Sequence, residues 1–227
     1  MKILAVETST DACSAALFIN GDLREKFAVA PREHTKLILP MIQQLLAEAE
    51  LAPQQLDGLA LSRGPGSFTG VRIAAGVAHG IAFGADLPVA MVSTLAAIAQ
   101  DYLRRGESEV AFTAMDARMD EIFWGVYRRN DLGLAQLVGA EAVAPAAEVA
   151  LPDFSGAGVG SGWGVYREVL ALRLAERLQD VEVDVWPRAA CVAQLGAYDF
   201  ANGLAVPVEQ AMPVYLRDKV AKKQSER

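Results

Sequence analysis

One pattern of strand, acid, loop and strand occurs twice, and it limits the folds open to this chain more than any other feature. Ile3-Leu4-Ala5-Val6-Glu7 runs apolar into an acid, Asp11 follows in a loop, and Cys13 to Phe18 is a second apolar run. Phe112-Thr113-Ala114-Met115-Asp116, then Asp120, then Ile122 to Tyr127 repeat that order, with Asp116 lying 109 residues after Glu7 (116 − 7). Identity across the offset is thin, so the echo is one of pattern. Two unrelated hairpins would also produce it, but a duplicated domain is the better reading. The 227 residues suit one large domain or two small ones at about 100–200 residues each. The polar stretch Arg104-Arg105-Gly106-Glu107-Ser108-Glu109 supplies a break. The expected domains are 1–104 and 105–227, with the last helix free to return to the first.

Within the first half, Asn20-Gly21 between apolar runs is a hairpin signal, and Arg24 to Ala30 is expected to add a third strand. Leu37, Ile38, Met41, Ile42, Leu45, Leu46 and Ala49 follow helical spacing, with Pro40 in the first turns or at a kink. Leu56 to Ser62 and Pro88 to Val92 read as strands. Val71 to Phe83 reads as a helix capped by Ser67 or Thr69, and Leu95 to Leu103 as another. Further on come a glycine-rich stretch from Gly156 to Gly164, a helix over Val165 to Leu178, a strand over Val181 to Trp186, a helix over Ala189 to Ala201, and a basic tail.

Charge and composition exclude several classes. The net charge of −7 disfavours a chain that neutralises phosphates by itself with Lys and Arg clusters. Direct RNA binding through Lys219, Lys222, Lys223 and Arg227 is the weakest reading for that reason. Two cysteines, Cys13 and Cys191, make neither a disulfide framework nor a multi-cysteine zinc site; both read as small core residues. No run is expected to reach the ~20 apolar residues of a membrane helix, and Glu7 interrupts any signal-peptide core. A cytoplasmic chain with no membrane partner is expected. Counting Gly and leaving out Tyr, the chain is roughly 58% apolar against the ~45–50% usual for soluble domains, which fits either an alanine-rich core or a buried partner surface.

The search for chemistry is mostly negative. The loop Gly64 to Gly70 is not a P-loop, because Thr69-Gly70-Val71 stand where Gly-Lys-Ser/Thr would be needed. Its glycines still lead into a helix whose free N–H groups can take an anion, with Arg63 and Arg72 nearby. Gly158-Val159-Gly160-Ser161-Gly162 misses the Gly-x-Gly-x-x-Gly spacing. His34 and His79 have Ile38 and Phe83 four residues on, so neither makes a helical metal pair. Ser67 and Ser161 lack the glycine two residues before them that a nucleophile elbow needs. Gly76, Gly80 and Gly84, four apart on one helix, present almost no side chain, and glycine costs a helix ~1 kcal/mol relative to alanine. A closely packed backbone, internal or external, would account for them.

Four segments together carry a family resemblance: Ile3-Leu4-Ala5-Val6-Glu7-Thr8-Ser9; Glu33-His34-Thr35 with Leu39-Pro40-Met41-Ile42; Arg63-Gly64-Pro65-Gly66-Ser67-Phe68-Thr69-Gly70-Val71-Arg72; and Pro213-Val214-Tyr215-Leu216-Arg217. They resemble the TsaB (YeaZ) family. The resemblance implies an α/β fold of duplicated actin-like (ASKHA, ribonuclease H-like) domains. It also implies a role in bacterial tRNA modification, the transfer of threonylcarbamoyl to N6 of the adenosine next to the anticodon in tRNAs reading codons that begin with A. The implied partners are the catalytic paralogue TsaD, the small ATPase TsaE, a second copy of the chain when TsaD is absent, and tRNA only through the complex. TsaD carries a His-x-x-x-His metal motif whose places fall here near Thr94 and Ile98, so the resemblance implies a non-catalytic subunit without metal.

The resemblance also implies a pairing surface on the helices about Glu33 to Glu50 and Thr69 to Phe83, which assigns Leu37, Met41, Leu45, Arg72, Gly76, His79 and Gly80 to the interface. Glu7, Ser9 and Thr10 take the place of the superfamily's first phosphate loop, although Asp is usual where Glu7 stands. Lys or Gln is expected where His79 stands. No cofactor is expected, with ATP or ADP at an interface left open. The competing reading is a nucleotide-binding ATPase or small-molecule kinase built on Glu7, Ser9 and the two glycine-rich loops; it rests on analogy of fold.

Overall fold

The structure is a computed structural model that describes residues 1–106 and 108–217. Glu107 and the tail cations Lys219, Lys222, Lys223 and Arg227 lie outside the described residues. The chain forms two five-stranded mixed sheets. In the first, β1 (Lys2–Glu7), β2 (Ala12–Ile19) and β3 (Asp22–Val29) make an antiparallel meander, and β4 (Gly58–Ser62) and β5 (Val89–Val92) add in parallel, in the order β3-β2-β1-β4-β5. In the second, β6 (Val110–Arg118), β7 (Glu121–Arg129) and β8 (Ala135–Pro145) repeat the meander. There β9 (Gly156–Val159) and β10 (Leu178–Glu182) add in parallel, in the order β10-β9-β6-β7-β8. Strand for strand the topologies coincide, so the echo between Glu7 and Asp116 is a duplication of fold.

The helices follow the same plan with one exception. α2 (Phe68–Ala85) joins β4 to β5 as α4 (Gly162–Leu174) joins β9 to β10, and α3 (Thr94–Leu103) follows β5 as α5 (Ala189–Ala201) follows β10. Only the first half has a helix between its third and fourth strands, α1 (His34–Glu48). Residues 146–155, its counterpart segment, contain none.

Side-chain alternation decides which helix covers which face. Leu4 and Val6 of β1, with Cys13, Ala15 and Leu17 of β2, face α1 and α2, whereas Ile3, Ala5 and Ala16 face α5, as period-two patterning requires. Both faces are buried, which is why these strands read as continuous apolar runs. In the second sheet Phe112, Ala114 and Trp124 pack with Trp163 and Leu170 of α4, and Ala111, Met115 and Tyr127 pack with Leu95, Ile98 and Tyr102 of α3. The helix leaving the first sheet therefore covers the second, and the helix leaving the second covers the first.

The glycine-rich stretch from Gly156 to Gly164 is explained by this packing. A Cβ on Gly156 would lie 2.6 Å from the Val110 carbonyl oxygen, and one on Gly158 would lie 2.4 Å from the Trp163 indole. The indole itself donates to the Phe112 carbonyl at 2.7 Å. Pro40 lies at the seventh residue of α1, in its second turn and so within the expected first turns. Other expectations need correction. β8 was not expected; it is an edge strand of mixed Ala, Gly and Val with no fully buried residue, and so lacks an apolar run. β10 ends at Glu182, because Val183 to Trp186 turn away to line a cleft. Phe68–Ala85 is, by length and composition alone, apolar enough to cross a membrane, contrary to the expectation above, and a third of it is buried within the fold.

The two kinds of helical glycine differ in surroundings. A Cβ on Gly196 of α5 would meet the Ala60 Cβ at 2.6 Å, whereas one on Gly76 of α2 meets nothing within 4 Å. Gly196→Ala is expected to destabilise the chain by about 1–3 kcal/mol through overpacking, and Gly76→Ala to stabilise it by about 0.5–1 kcal/mol through helix propensity. Urea midpoints of the two variants moving in the same direction would contradict this packing.

Candidate functional site

Two regions contain the residues singled out from the sequence. The first is the turn after β1. Glu7 is fully buried, and its Oε1 accepts from the Ser9 amide at 2.5 Å and the Ser9 hydroxyl at 2.6 Å. A run of hydroxyls reaches it: Ser62 pairs with Thr94 at 2.7 Å, and Thr94 donates to Ser9 at 3.1 Å. Oε2 makes no well-formed hydrogen bond among the described residues, although the Ser62 hydroxyl is near enough to help stabilise the carboxylate. Burial outweighs these hydrogen bonds and holds the Glu7 pKa above the usual carboxylate range.

The glycine loop before α2 closes over this turn. The Thr8 hydroxyl donates to the Gly70 carbonyl at 2.7 Å, and the Ser67 amide donates to the Ser9 carbonyl at 2.7 Å. A Cβ on Gly66 would come within 2.4 Å of the Ser9 carbonyl oxygen, and one on Gly70 within 2.1 Å of that of Thr8. These glycines are thus needed for contact between two backbones. Ser67 caps α2, accepting from the Gly70 amide at 3.4 Å. His34 holds the other side of the turn, with Nε2 at 2.8 Å from the Thr10 carbonyl and 3.2 Å from that of Ala12. Carbonyl oxygens only accept, so Nε2 carries the hydrogen.

Next to this turn lies a cleft of about 710 Å³ between it and the β6–β7 turn, lined by Ser9 and Thr10 with Asp11, Asp116, Arg118 and Arg217. Its volume is that of a small-molecule site. Both arginines are already paired, Arg118 with Asp116 at 3.0 Å and Arg217 with Glu121 at 2.5 Å. Glu7, assigned to nucleotide binding from the sequence, does not reach the cleft: as the last residue of a buried central strand, it points its carboxyl into the fold. Thr94 and Ile98 are both buried, Thr94 on Ser62 and Ser9, and Ile98 in the core beneath the second sheet. Among the described residues no group of three or more His, Cys, Asp or Glu side chains is placed to hold a metal ion.

The second region is the outer face of α1 and α2. Ile73, Val77 and Ile81 of α2 are half-buried, and between them Gly76, Gly80 and Gly84 leave open space where a Cβ would stand. Leu37 and Met41 of α1 are half-buried, while Leu39 is 48% and Phe83 75% exposed. Leu45 requires correction: it is fully buried in the core, because its position on α1 points at β2 and not outward. Arg72 is exposed, and its guanidinium stacks over the Phe68 ring at 3.6 Å and donates from Nε to the Tyr215 hydroxyl at 3.1 Å. His79 bonds through Nε2 to the Ala211 carbonyl at 2.5 Å. The segment 206–217 thereby runs along α2, pairing Val206 with Val89 and donating from Val214 to the Arg63 carbonyl at 2.8 Å before Arg217 reaches the second sheet. The sequence signal for that strap was the Pro213 to Arg217 motif, with nothing to say what it touched.

Comparison with known proteins identifies the fold. A family model described as TsaD, tRNA N6-adenosine threonylcarbamoyltransferase, matches residues 28–224. The tRNA threonylcarbamoyladenosine biosynthesis protein TsaB of Escherichia coli K12 is 41% identical over 97% of this chain and 96% of its own length. The chain belongs to the TsaB family. The TsaB of Haemophilus influenzae is 37% identical over 97% of this chain and 95% of its own. Among solved structures, YeaZ from Pseudomonas aeruginosa superposes with a TM-score of 0.88 at 42% identity, covering 95% of this chain and 99% of that one. A second crystal structure from that organism, described as similar to peptidase YeaZ, gives 0.89 at the same identity and coverage. In this TsaB-family chain the two halves are therefore actin-like domains of the TsaD type.

The burial of Glu7 has a measurable consequence. Its folded pKa is raised above the ordinary value of 4.5 by desolvation. Between those two values the native chain binds more protons than the unfolded one, and stability falls as pH rises. Glu7→Gln removes that titration. Urea denaturation across pH values above 4.5 is expected to find the variant gaining on wild type by up to about 1.4 kcal/mol per pH unit. A difference that stays constant with pH would mean that Glu7 titrates alike in both states.

Proposed function

We propose that this chain is the non-catalytic partner subunit of a bacterial threonylcarbamoyladenosine-forming assembly in the cytoplasm. It docks on TsaD through the outer face of α1 and α2 and keeps TsaD competent for TsaE and tRNA. In the absence of TsaD the same face pairs with a second copy of the chain. The observation that carries this reading is the open stripe of Gly76, Gly80 and Gly84, bordered by half-buried Ile73, Val77 and Ile81. A stripe of this kind lets a partner helix approach to backbone distance, and each glycine still costs the isolated helix about 1 kcal/mol. The acid-rich surface and net charge of −7 fit a subunit that meets tRNA only through its partners.

A leucine at Gly76 or Gly80 would fill space that is open in the single chain and contested in the pair. Each substitution is expected to leave circular dichroism near wild type and the urea midpoint at or slightly above it, and to weaken pairing with TsaD by about 1–3 kcal/mol, about fivefold to more than a hundredfold in Kd. Size exclusion with light scattering on the mixture reads it; undiminished pairing would overturn the docking reading.

The nucleotide reading keeps one supporting observation, the 710 Å³ cleft. Against it stand three aspartates, Asp11, Asp116 and Asp184, and two arginines that already have carboxylate partners. Calorimetry with magnesium and ATP is expected to give no heat from the isolated chain. Micromolar binding abolished by Asp11→Ala would revive the nucleotide reading.

A further inference from the structure

The β6–β7 turn is held in a conformation that its residues disfavour. Arg118, Met119 and Asp120 have φ of +60°, +57° and +62°, three successive left-handed residues with no glycine among them. L-residues enter that region singly and at a cost, because Cβ crowds the following carbonyl oxygen. The matching turn of the first half, residues 8–11, contains no positive φ, so the duplicated topology does not impose it. A costly backbone of this kind persists only where its surroundings hold it.

Two sets of contacts hold it. The first is local: the Asp116 carboxylate accepts from the Arg118 amide at 2.8 Å and pairs with the Arg118 guanidinium at 3.0 Å. The second comes from the strap. Arg217 donates to Glu121 Oε2 from Nε at 3.1 Å and from Nη2 at 2.5 Å. Its Nη2 also donates to the Arg118 carbonyl at 3.3 Å, and its Nη1 to the Met119 sulfur at 3.7 Å. One guanidinium thus grips both ends of the turn and its middle. The strap itself is fastened to the first half: Val214 donates to the Arg63 carbonyl at 2.8 Å, Arg72 donates to the Tyr215 hydroxyl at 3.1 Å, and His79 bonds to the Ala211 carbonyl at 2.5 Å. The Arg217 and Glu121 side chains are 20% and 32% exposed, so water competes for the pair.

This grip bears on the larger cleft. Ala117, Arg118 and Arg217 line it beside Met115 and Phe123 of the second sheet, and Ser9, Thr10, Asp11 and Phe68 line it from the first half. The strap therefore bridges the two walls. We propose that the β6–β7 turn is a loaded lid on this cleft and that the strap is its latch. With Arg217 seated, the turn stays left-handed and the cleft keeps its width. When Arg217 leaves, the turn relaxes out of the left-handed region, carrying Ala117 and Arg118 with it, and the cleft opens. The cost of the left-handed backbone supplies the drive for opening, and the Arg217 contacts supply the restraint. α3 and α5 make none of the contacts named, so the two sheets keep their places in either position. The latch does not rest on the docking reading, since no partner chain takes part in it.

The test combines amide hydrogen exchange with acrylamide quenching of tryptophan fluorescence, both on the full chain. Of the three tryptophans, Trp124 and Trp163 are 2% and 0% exposed and Trp186 lines the cleft, so quenching reads the cleft. Arg217→Ala is expected to speed exchange at the Arg118 and Glu121 amides about tenfold or more and to raise the quenching constant. Exchange at Leu4 and Phe112, in the central strands, is expected to stay at the wild-type rate and so to show an intact fold. Tyr215→Phe removes the strap's bond to Arg72 and no atom at the turn. It is expected to move both readouts in the same direction and by less. The latch is overturned if Arg217→Ala leaves exchange at the turn unchanged, or if it speeds that exchange while quenching stays at the wild-type value, the result of a purely local ion pair. It is equally overturned if Tyr215→Phe moves neither readout.

Discussion

Each sheet of this molecule needs a helix that the other half of the chain supplies. α3 leaves the first sheet and lies on Ala111, Met115 and Tyr127 of the second, and α5 leaves the second and lies on Ile3, Ala5 and Ala60 of the first. Without the exchange, one face of each sheet would be bare apolar surface, at about 25 cal/mol for every Å² returned to water. The two halves therefore stabilise each other as one cooperative unit, although each has a complete sheet. Gly196 is the narrowest point of that exchange, because α5 crosses β4 at the distance of an alanine methyl. Everything that bears on function is positioned by it: the turn after β1, the glycine loop and the strap are all fixed relative to a sheet that α5 holds.

The turn after β1 illustrates how a fold can keep a motif's shape while changing its use. The acid, the hydroxyls and the glycine-rich loop are all there, but the loop has settled onto the turn, and Ser9 and the hydroxyls of Thr94 and Ser62 occupy the acid's environment. Glu7 is an interior residue whose carboxyl is held by its neighbours, and the backbone groups that could have met an anion meet each other. What remains open beside it is a cleft whose positive charges are already neutralised.

How much could be read from residues alone varied with how local the cause was. Helical spacing marked α1, α3 and α5 with ends within a few residues, because amphipathic stripes and caps are local. The duplication was visible as an order of strand, acid and strand, since both copies must alternate about one hairpin. β8 escaped notice because an edge strand with half-exposed Ala, Gly and Val has no period to detect. Leu45 was assigned to the outside and lies in the core, because neighbouring positions on one stripe can face a sheet or solvent depending on how the helix is rolled. The burial of Glu7 beside Ser62, 55 residues on (62 − 7), the Thr8 contact with Gly70 and the reach of Tyr215 to Arg72 all depend on residues far apart in sequence, and no local pattern carries that information.

α1 breaks the internal symmetry. Because the second half runs from β8 to β9 without a helix, the pseudo-equivalent surface on that side offers α4 alone. A partner that recognises two adjacent helices finds them once per chain, at one end of an otherwise repeated molecule. Under the docking proposed above, a single-ended molecule of this kind would close into a pair by meeting face to face. A duplicated fold that kept the helix in both halves would offer that docking two ends and could grow into a filament; under the same proposal, the missing helix would act as a chain terminator for assembly.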